Sequence, residues 1–215
     1  MKKENEKHSI YTSRGKLKAS PADSIKTIDE INLIKNYFLD RKEYRNYALF
    51  ILGISTAYRA GDILRLKFKN LFDENGNWRK EIVLIEEKTG KRRSMEITET
   101  IKNAVNLYIE NEGGCYFDDY IFKSRKGGNS PLSVPSACKI FKEMAKNLNL
   151  NYHCSTHFLR KTFAYWFLQI HKNDATALAT LQEILNHSSS QITLKYCGLA
   201  KEKQQNMARK VSELW

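Results

Sequence analysis

Two side chains near the carboxyl end of the chain carry groups that could together perform phosphoryl-transfer chemistry. His187 and Tyr196 lie nine residues apart in the stretch LQEILNHSSSQITLKYCGL, residues 181–199. A tyrosine hydroxyl is a poor nucleophile near neutral pH, because its proton leaves only near pH ~10. It becomes useful where fixed cations hold a polarised phosphate in front of it. The chemistry therefore requires basic residues from other segments.

The first candidate cation is Arg59, in the stretch STAYRAGDIL, residues 55–64. It lies between the predicted end of one helix and the start of a short one. A guanidinium at such a junction can turn inward and meet a phosphate with its planar fork. Asp62 is predicted to hold that guanidinium in place. From this segment alone, a surface Arg–Asp pair is the preferred interpretation.

The second candidate cation, Lys88, lies on a predicted β-hairpin. Residues 81–88 (EIVLIEEK) read as a strand, residues 89–91 as a turn, and residues 92–97 as the returning strand. Lys88 at the tip could reach into a DNA groove and donate a proton, although a solvated basic turn is the alternative. The neighbouring basic residues are predicted to contact DNA: Lys91, Arg92 and Arg93.

The next pair of candidates is His157 and Arg160, in the stretch HFLRKTF. Thr156 is predicted to cap a helix whose first turn holds both residues, and the i, i+3 spacing puts them on one face. The helix N-terminus adds free amides and a partial positive charge, which together favour an anion. The pair alone does not distinguish an anion site from a chance combination.

The composition favours a globular protein with a polyanionic partner. The 215 residues are 41% hydrophobic, and 36 basic against 24 acidic residues give a net charge of +12. This balance favours nucleic acid first and an anionic membrane second. No apolar run approaches the ~20 residues of a membrane span, and no signal peptide opens the chain. The four cysteines form no CxxC pair, so a cytoplasmic location is expected.

Residues 25–200 are predicted to form one mainly helical α+β domain with a small antiparallel β-sheet. Apolar residues at helical spacing predict helices that begin near residues 27, 42, 62, 98, 135 and 157. The first starts with a capping box formed by Thr27 and Glu30. The loop 123–129 is basic and contains glycine, which suits phosphate contact. Further DNA contacts are predicted at Lys123, Arg125, Lys126 and, in the last of these helices, Lys161.

Both ends of the chain are predicted to extend beyond this domain. Residues 1–24 are polar and lysine-rich, and are interpreted either as a basic arm along phosphates or as a frayed terminus. Residues 201–215 are predicted to form a tail helix with a narrow apolar stripe at Met207, Val211 and Leu214. A stripe this short needs a surface to pack on, either on its own domain or on a neighbouring protomer.

The order of these motifs resembles the catalytic domain of tyrosine recombinases, the phage-integrase family, over roughly residues 25–199. Four boxes carry the resemblance: TAYRAGD at 56–62, KTG at 88–90, HFLRKTF at 157–163, and LNHSS followed by Tyr196. The departures are mild. Ala57 and Asn186 stand where the family often has Gly, and Asp62 stands where it often has Glu. The front is short, as in the single-domain subclass that includes fimbrial invertases, or as in a fragment of a longer integrase.

The resemblance implies a fold, a reaction and partners. The fold is the tyrosine-recombinase catalytic domain, and DNA strands are cut and rejoined through a 3′-phosphotyrosyl link without metal or cofactor. The partner is double-stranded DNA, bound by a homotetramer that is a monomer or weak dimer without DNA, with possible accessory DNA-bending proteins. The implied catalytic residues are Arg59, Lys88, His157, Arg160, His187 and Tyr196.

Three other functions compete with a recombinase. A type IB topoisomerase-like enzyme would use the same chemistry to nick and reseal one duplex without exchanging strands. A DNA-binding regulator would keep the fold and lose catalysis, but all six implied catalytic positions are filled. A structural RNA-binding protein would account for the charge and for none of the motifs.

Overall fold

The computed structural model describes residues 23–112, 114–150, 154–197 and 208–213, and the described residues up to 197 contain eight α-helices and one β-hairpin. This confirms the predicted mainly helical α+β class. The elements are α1 (Ile28–Asp40), α2 (Tyr44–Thr56), α3 (Ala60–Leu64), β1 (Glu81–Ile85), β2 (Arg92–Glu96), α4 (Glu99–Asn111), α5 (Val134–Asn147), α6 (His157–Ile170), α7 (Ala177–Ile184) and α8 (Ser190–Tyr196).

The two predicted extensions fall largely outside the described residues. Of the arm, residues 1–24, only 23 and 24 are described. Of the tail, residues 208–213 are described, and 208–212 are helical. Val211 from the predicted stripe is 51% exposed there. Met207 and Leu214 lie outside the described residues.

Side chains start some of the helices and not others. The Thr27 hydroxyl oxygen accepts a hydrogen bond from the Glu30 amide (3.2 Å), and the hydroxyl donates to the Glu30 carboxylate (3.0 Å). The predicted capping by Thr27 is therefore confirmed. The predicted cap at Thr156 is wrong, because its backbone is already helical (φ −56°, ψ −19°) and, among the described residues, its side chain caps no amide. Thr156 is instead buried, with Cys138 Sγ 3.6 Å from its hydroxyl.

Helix α2 is the centre of the main apolar core and packs against α1, α4 and α6. Its close approach to α6 depends on Gly53, where a methyl group would lie 2.9 Å from Cβ and 2.5 Å from Cδ1 of Leu159. Arg59 follows α2 and Arg160 lies on α6. Tight packing of these two helices therefore fixes the spacing of two predicted cations.

A second, smaller apolar cluster lies under the end of the fold that carries α7 and α8. Its buried members are Ala57, Ala164, Leu181, Leu185 and Cys197, and the ring of Tyr196 packs against them. Through this cluster, the short helix α8 packs against α6 and α7.

The β-hairpin is antiparallel and runs in register from Glu81 opposite Glu96 to Ile85 opposite Arg92. The first strand was predicted to continue to Lys88 but ends at Ile85, and the following residues form the connecting turn. Gly90 in that turn has a φ of +67°, a conformation that glycine adopts without steric cost. Lys88 is exposed in the turn, as predicted for the hairpin tip.

Candidate active site

The six predicted catalytic residues come from five parts of the fold. Arg59 precedes α3, Lys88 lies in the hairpin turn, His157 and Arg160 occupy the first turn of α6, His187 lies between α7 and α8, and Tyr196 ends α8. Burial lowers the pKa values of His157 and His187, and the positive charges of Arg160 and Arg59 lower them further. The same two charges oppose the rise that burial causes in the pKa of Tyr196. The fold therefore brings these groups within electrostatic reach of one another.

Arg59 forms an ion pair with a residue that the sequence analysis did not select. Its Nη1 lies 2.5 Å from Oε1 of Glu86, which is 1% exposed. This ion pair is buried. Burial would raise the pKa of Glu86, but its contact with Arg59 and the hydrogen bonds from Thr89 and Asn186 outweigh this effect and lower the pKa to about 2.

Arg160 is a buried cation with an unused donor. Its side chain is 4% exposed, and its Nη2 donates to the carbonyl of Leu185 at the end of α7. Its Nη1 is buried and finds no hydrogen-bond partner among the described residues. Burial is the main cause that lowers the pKa of this guanidinium, to about 10, so it remains charged at neutral pH. A buried donor of this kind is costly unless a ligand pairs with it.

His187 is held by its own segment. Its Nδ1 lies 3.1 Å from the hydroxyl oxygen of Thr193 on α8. Burial, with the charges of Arg160 and Arg59, lowers the pKa of His187 to about 4. The ring is therefore neutral at pH 7, and its second nitrogen is available to another group.

Tyr196 has a buried hydroxyl without a hydrogen-bond partner in the described ranges. Burial raises its pKa to about 12, against the lowering effect of the Arg160 charge. The ammonium of Lys161 lies over the face of the ring, 5.3 Å from its centroid. The predicted nucleophile is thus protonated at rest, and its hydroxyl lies among cations.

His157 and Lys88 lie at the exposed side of the cluster. Burial of the imidazole is the largest cause that lowers the pKa of His157, followed by the charges of Arg160, Lys161, Arg59 and Lys88. His157 is therefore neutral at pH 7 and can accept a proton. The influence of Lys88 on His157 indicates that the hairpin turn reaches the same side of the site.

The predicted pairing of Asp62 with Arg59 is wrong. Asp62 is buried, and its Oδ1 accepts a hydrogen bond from the amide of Glu87 (3.2 Å), while Oδ2 has no partner among the described residues. Arg59 pairs with Glu86 instead. Asp62 acts on the backbone of the hairpin and not on the guanidinium.

The sequence also contained a signal for Glu86. Successive residues of a strand alternate between its two faces, so Ile82, Leu84 and Glu86 share one side. Ile82 is fully buried, and the same face therefore carries a carboxylate into the interior. A buried carboxylate requires a cationic partner, which here is Arg59.

The predicted DNA contact at Arg93 is contradicted by its position. Arg93 lies opposite Leu84 on the inward face of the hairpin, and its side chain is 12% exposed. Its guanidinium donates to the carbonyl of Ile184 and lies 3.6 Å from Glu86. It joins the hairpin to α7 and is not free to meet DNA.

The other predicted DNA contacts differ in their availability. Arg92, Arg125 and Lys126 are exposed. Lys91 is exposed and donates to the side-chain oxygen of Asn186 (2.8 Å), and Lys123 pairs with Asp119. Lys161 is half-buried over Tyr196.

In the residues that the structure describes, no three or more His, Cys, Asp or Glu side chains are arranged to hold a metal ion. None of the helices described is long and apolar enough to cross a membrane.

The sequence pattern of the phage integrase family matches residues 25–203. The chain belongs to the phage integrase family. A probable integrase/recombinase of this kind, YoeC of Bacillus subtilis (strain 168), is 37% identical over 175 residues, which cover 81% of this chain and 88% of YoeC.

One further recombinase is similar to this chain in sequence, and one solved structure is similar to it in fold. Tyrosine recombinase XerD of Halalkalibacterium halodurans is 26% identical over 187 residues, covering 84% of this chain and 59% of XerD. The crystal structure of the XerH recombinase bound to palindromic difH substrate, a post-cleavage complex, has a TM-score of 0.65 and 21% identity. It covers 87% of this chain and 53% of XerH. The chain thus spans little more than half of either protein.

These matches confirm the predicted family and the predicted catalytic-domain fold of the phage integrase family. The family and the named recombinases among its relatives also confirm the predicted class, a tyrosine-type recombinase. The topoisomerase-like and regulatory alternatives are not favoured by any of these relatives. The similarity to fimbrial invertases remains a prediction.

Proposed function

We propose that this chain cuts and rejoins double-stranded DNA at specific sites, with Tyr196 as the nucleophile. The observation that carries the proposal is a pair of buried polar atoms without hydrogen-bond partners in the described structure: Nη1 of Arg160, a cationic donor, and the hydroxyl of Tyr196, the proposed nucleophile. A scissile phosphate bound between them would accept from the donor through a non-bridging oxygen and present its phosphorus to the hydroxyl. Arg59, which is held by Glu86, supplies a second cation to the same site.

The reaction follows from these positions. The Tyr196 oxygen forms a bond to phosphorus, and the bond from phosphorus to the 5′ oxygen breaks. Arg59 and Arg160 stabilise the charge that develops on the non-bridging oxygens, and His187 adds a hydrogen bond. The protein is then joined to the 3′ phosphate. Attack by a 5′-hydroxyl of the same or another strand reverses the step without an external energy source.

Cleavage requires one proton to be removed from the Tyr196 hydroxyl and another to be supplied to the leaving 5′ oxygen. The Tyr196 hydroxyl, with a pKa of about 12, needs a base, and neutral His157 on the same side is the proposed acceptor. The leaving 5′ oxygen needs an acid, and Lys88 in the exposed hairpin turn is the proposed donor. No step in this scheme uses a metal or cofactor.

The partners follow from the same chemistry. Double-stranded DNA is the substrate, contacted by the exposed residues Arg92, Arg125 and Lys126 and by Lys91. Joining two duplexes requires several active sites, and a homotetramer on DNA supplies them, with accessory DNA-bending proteins as further partners. Residues 25–200 form the catalytic domain, residues 1–24 a basic arm and residues 201–215 the segment between protomers. The protein works in the cytoplasm, at the nucleoid.

A covalent-trapping experiment tests the proposal. Short inverted repeats in the DNA flanking the gene supply candidate targets, made as nicked suicide duplexes that lose the 5′ fragment on cleavage. We expect a protein–DNA adduct that survives denaturant, forms in excess chelator and carries the nucleotide on Tyr196 by mass spectrometry. Cleavage that stops with EDTA and returns with magnesium would point to a different nuclease mechanism.

A further inference from the structure

Glu86 occupies a position among the predicted catalytic residues that none of the roles above explains. It is 1% exposed, and both of its carboxylate oxygens are in use. Oε1 faces Nη1 of Arg59 at 2.5 Å and Nη1 of Arg93 at 3.6 Å. Oε2 accepts hydrogen bonds from the Thr89 hydroxyl (2.6 Å) and from Nδ2 of Asn186 (3.0 Å).

These partners connect three separate parts of the site. Arg59 belongs to the junction between α2 and α3, Thr89 is the neighbour of Lys88, and Asn186 is the neighbour of His187. One carboxylate therefore touches one predicted catalytic residue directly and is one residue away from two others. Asn186 strengthens the connection, since its oxygen also accepts from Lys91 (2.8 Å) on the far side of the hairpin turn.

A buried charge with this many partners has structural consequences. Charge-assisted hydrogen bonds are shorter and stronger than neutral ones, and a low-dielectric interior strengthens them further. Loss of the charge would leave the Arg59 and Arg93 guanidinium groups without a counter-charge. It would also weaken the ion pair that joins Arg59 to the residue at the start of the hairpin turn.

We propose that Glu86 is a positioning residue for DNA cleavage. It turns Arg59 toward the scissile phosphate and holds the turn that bears Lys88 against the turn that bears His187, so that the site is assembled before DNA arrives. Glu86 does not touch the reacting atoms and acts through Arg59 and the hairpin. This inference rests on the proposed function.

The test compares two neighbouring substitutions in single-turnover cleavage of the nicked suicide duplex at saturating DNA. Glu86→Gln keeps the shape and removes the charge, and should slow cleavage by about 10- to 100-fold, because a misplaced donor loses much of its effect. DNA affinity should be unchanged or tighter, since one negative charge is gone. Glu87→Gln is the matched control, because Glu87 is exposed and pairs with Arg65. It should cleave like the unmodified protein.

A double-mutant cycle separates positioning through Arg59 from a general structural effect. In an Arg59→Ala background, Glu86→Gln should cost clearly less than in the unmodified protein, because its action through Arg59 is already lost and only its action through the hairpin turn remains. Independent losses that multiply in the double variant would overturn the proposal, as would normal cleavage by Glu86→Gln.

A second variant and the activity of the unmodified protein separate failure of the positioning role from misfolding and from failure of the proposed function. If Glu86→Gln does not fold, Thr89→Ala removes one partner of the carboxylate from an exposed turn, and normal cleavage by that variant would overturn the proposal. If the unmodified protein forms no adduct, the proposed function itself fails. An active unmodified protein with an equally active Glu86→Gln variant refutes only the positioning role.

Discussion

The rings of His187 and Tyr196 meet edge to face, with centroids 5.1 Å apart and planes at 74°. Thr193, on the same helix as Tyr196, holds the Nδ1 side of that imidazole. The proposed nucleophile and one proposed phosphate donor are therefore positioned together by a single short helix.

Removal of the Tyr196 hydroxyl should abolish covalent chemistry and leave DNA binding intact. Tyr196→Phe should form no denaturant-stable adduct on the suicide duplex. It should also raise the free energy of unfolding by about 1 kcal/mol, because it removes a buried hydroxyl without a partner in the described structure. Tyr165→Phe is the control and should retain the adduct. An adduct with Tyr196→Phe would show that another residue is the nucleophile.

Loss of either proposed phosphate-binding arginine should affect cleavage far more than binding. Arg59→Ala and Arg160→Ala should each slow single-turnover cleavage by on the order of 10²-fold or more, as loss of an oxyanion donor does elsewhere. Arg59→Lys and Arg160→Lys keep the charge but lose the planar fork, so an intermediate loss is expected. Gel-shift titrations of the same variants measure the loss of DNA affinity for comparison with the loss of cleavage rate. Equal losses of affinity and rate would show that both arginines are ordinary phosphate contacts.

The acid role of Lys88 can be isolated with a modified leaving group. A 5′-thiolate leaves without a proton, so the defect of Lys88→Ala should largely disappear on a substrate with sulfur at the 5′ bridging position. Lys91→Ala, in the same exposed turn, should behave alike on the oxygen and sulfur substrates. A Lys88→Ala defect of equal size on both substrates would remove Lys88 from this role.

The contact between α2 and α6 should make Gly53 sensitive to a single methyl group. Alanine usually stabilises a helix interior relative to glycine by about 1 kcal/mol. At Gly53 the methyl would meet Leu159 Cβ at 2.9 Å, so overpacking should dominate and lower the free energy of unfolding by about 1–2 kcal/mol. Gly61→Ala, which meets nothing within 4 Å, should be neutral or stabilising. Urea unfolding of the two variants gives the comparison.

Acid should weaken the fold through Glu86. Its pKa falls from 4.5 to about 2 on folding, the net result of burial opposed by the Arg59 ion pair and two hydrogen bonds. The ionised carboxylate therefore stabilises the native state above pH 4.5, by on the order of 3 kcal/mol, and this contribution disappears as the pH falls toward 2. Urea unfolding between pH 7 and pH 3 should show this decline, and Glu86→Gln should show less of it.

The helical class, the hairpin and the family could be predicted because each leaves a local trace, whereas the catalytic roles of the six residues stay predictions. Apolar spacing marks helices such as α1, and a capping box marks its first turn. The ordered boxes around Arg59, Lys88 and Arg160 identify the family even where each box is short. Local patterns of this kind can be recognised without knowledge of the tertiary contacts.

The partners of these residues could not be predicted, since they depend on contacts between distant segments. Arg59 pairs with Glu86, 27 residues away, rather than with nearby Asp62. Arg93 looked like a surface cation until the pairing of the strands placed it beside Leu84 on the inner face. Spacing along the chain does not distinguish between these partners.

The two positions where the family often has Gly have a shared backbone explanation. Ala57 and Asn186 both have left-handed conformations, with φ of 56° and 49°. Asparagine tolerates this region better than alanine, and here its side chain also binds the hairpin. The departure from Gly is thus accommodated at Asn186 by added hydrogen bonds, whereas Ala57 has no polar side chain to form them.

Cys197 directly follows Tyr196 and is 1% exposed, whereas Cys115 is exposed. Burial raises the pKa of the Cys197 thiol to about 12, so the thiol is protonated and unreactive while α8 is packed in place. An alkylating reagent can therefore react with Cys197 only when α8 detaches from the domain. Cys115 supplies an internal reference for full access. Peptide masses after brief iodoacetamide pulses would therefore report how often the nucleophile helix detaches during binding, cleavage and strand exchange, without any added label.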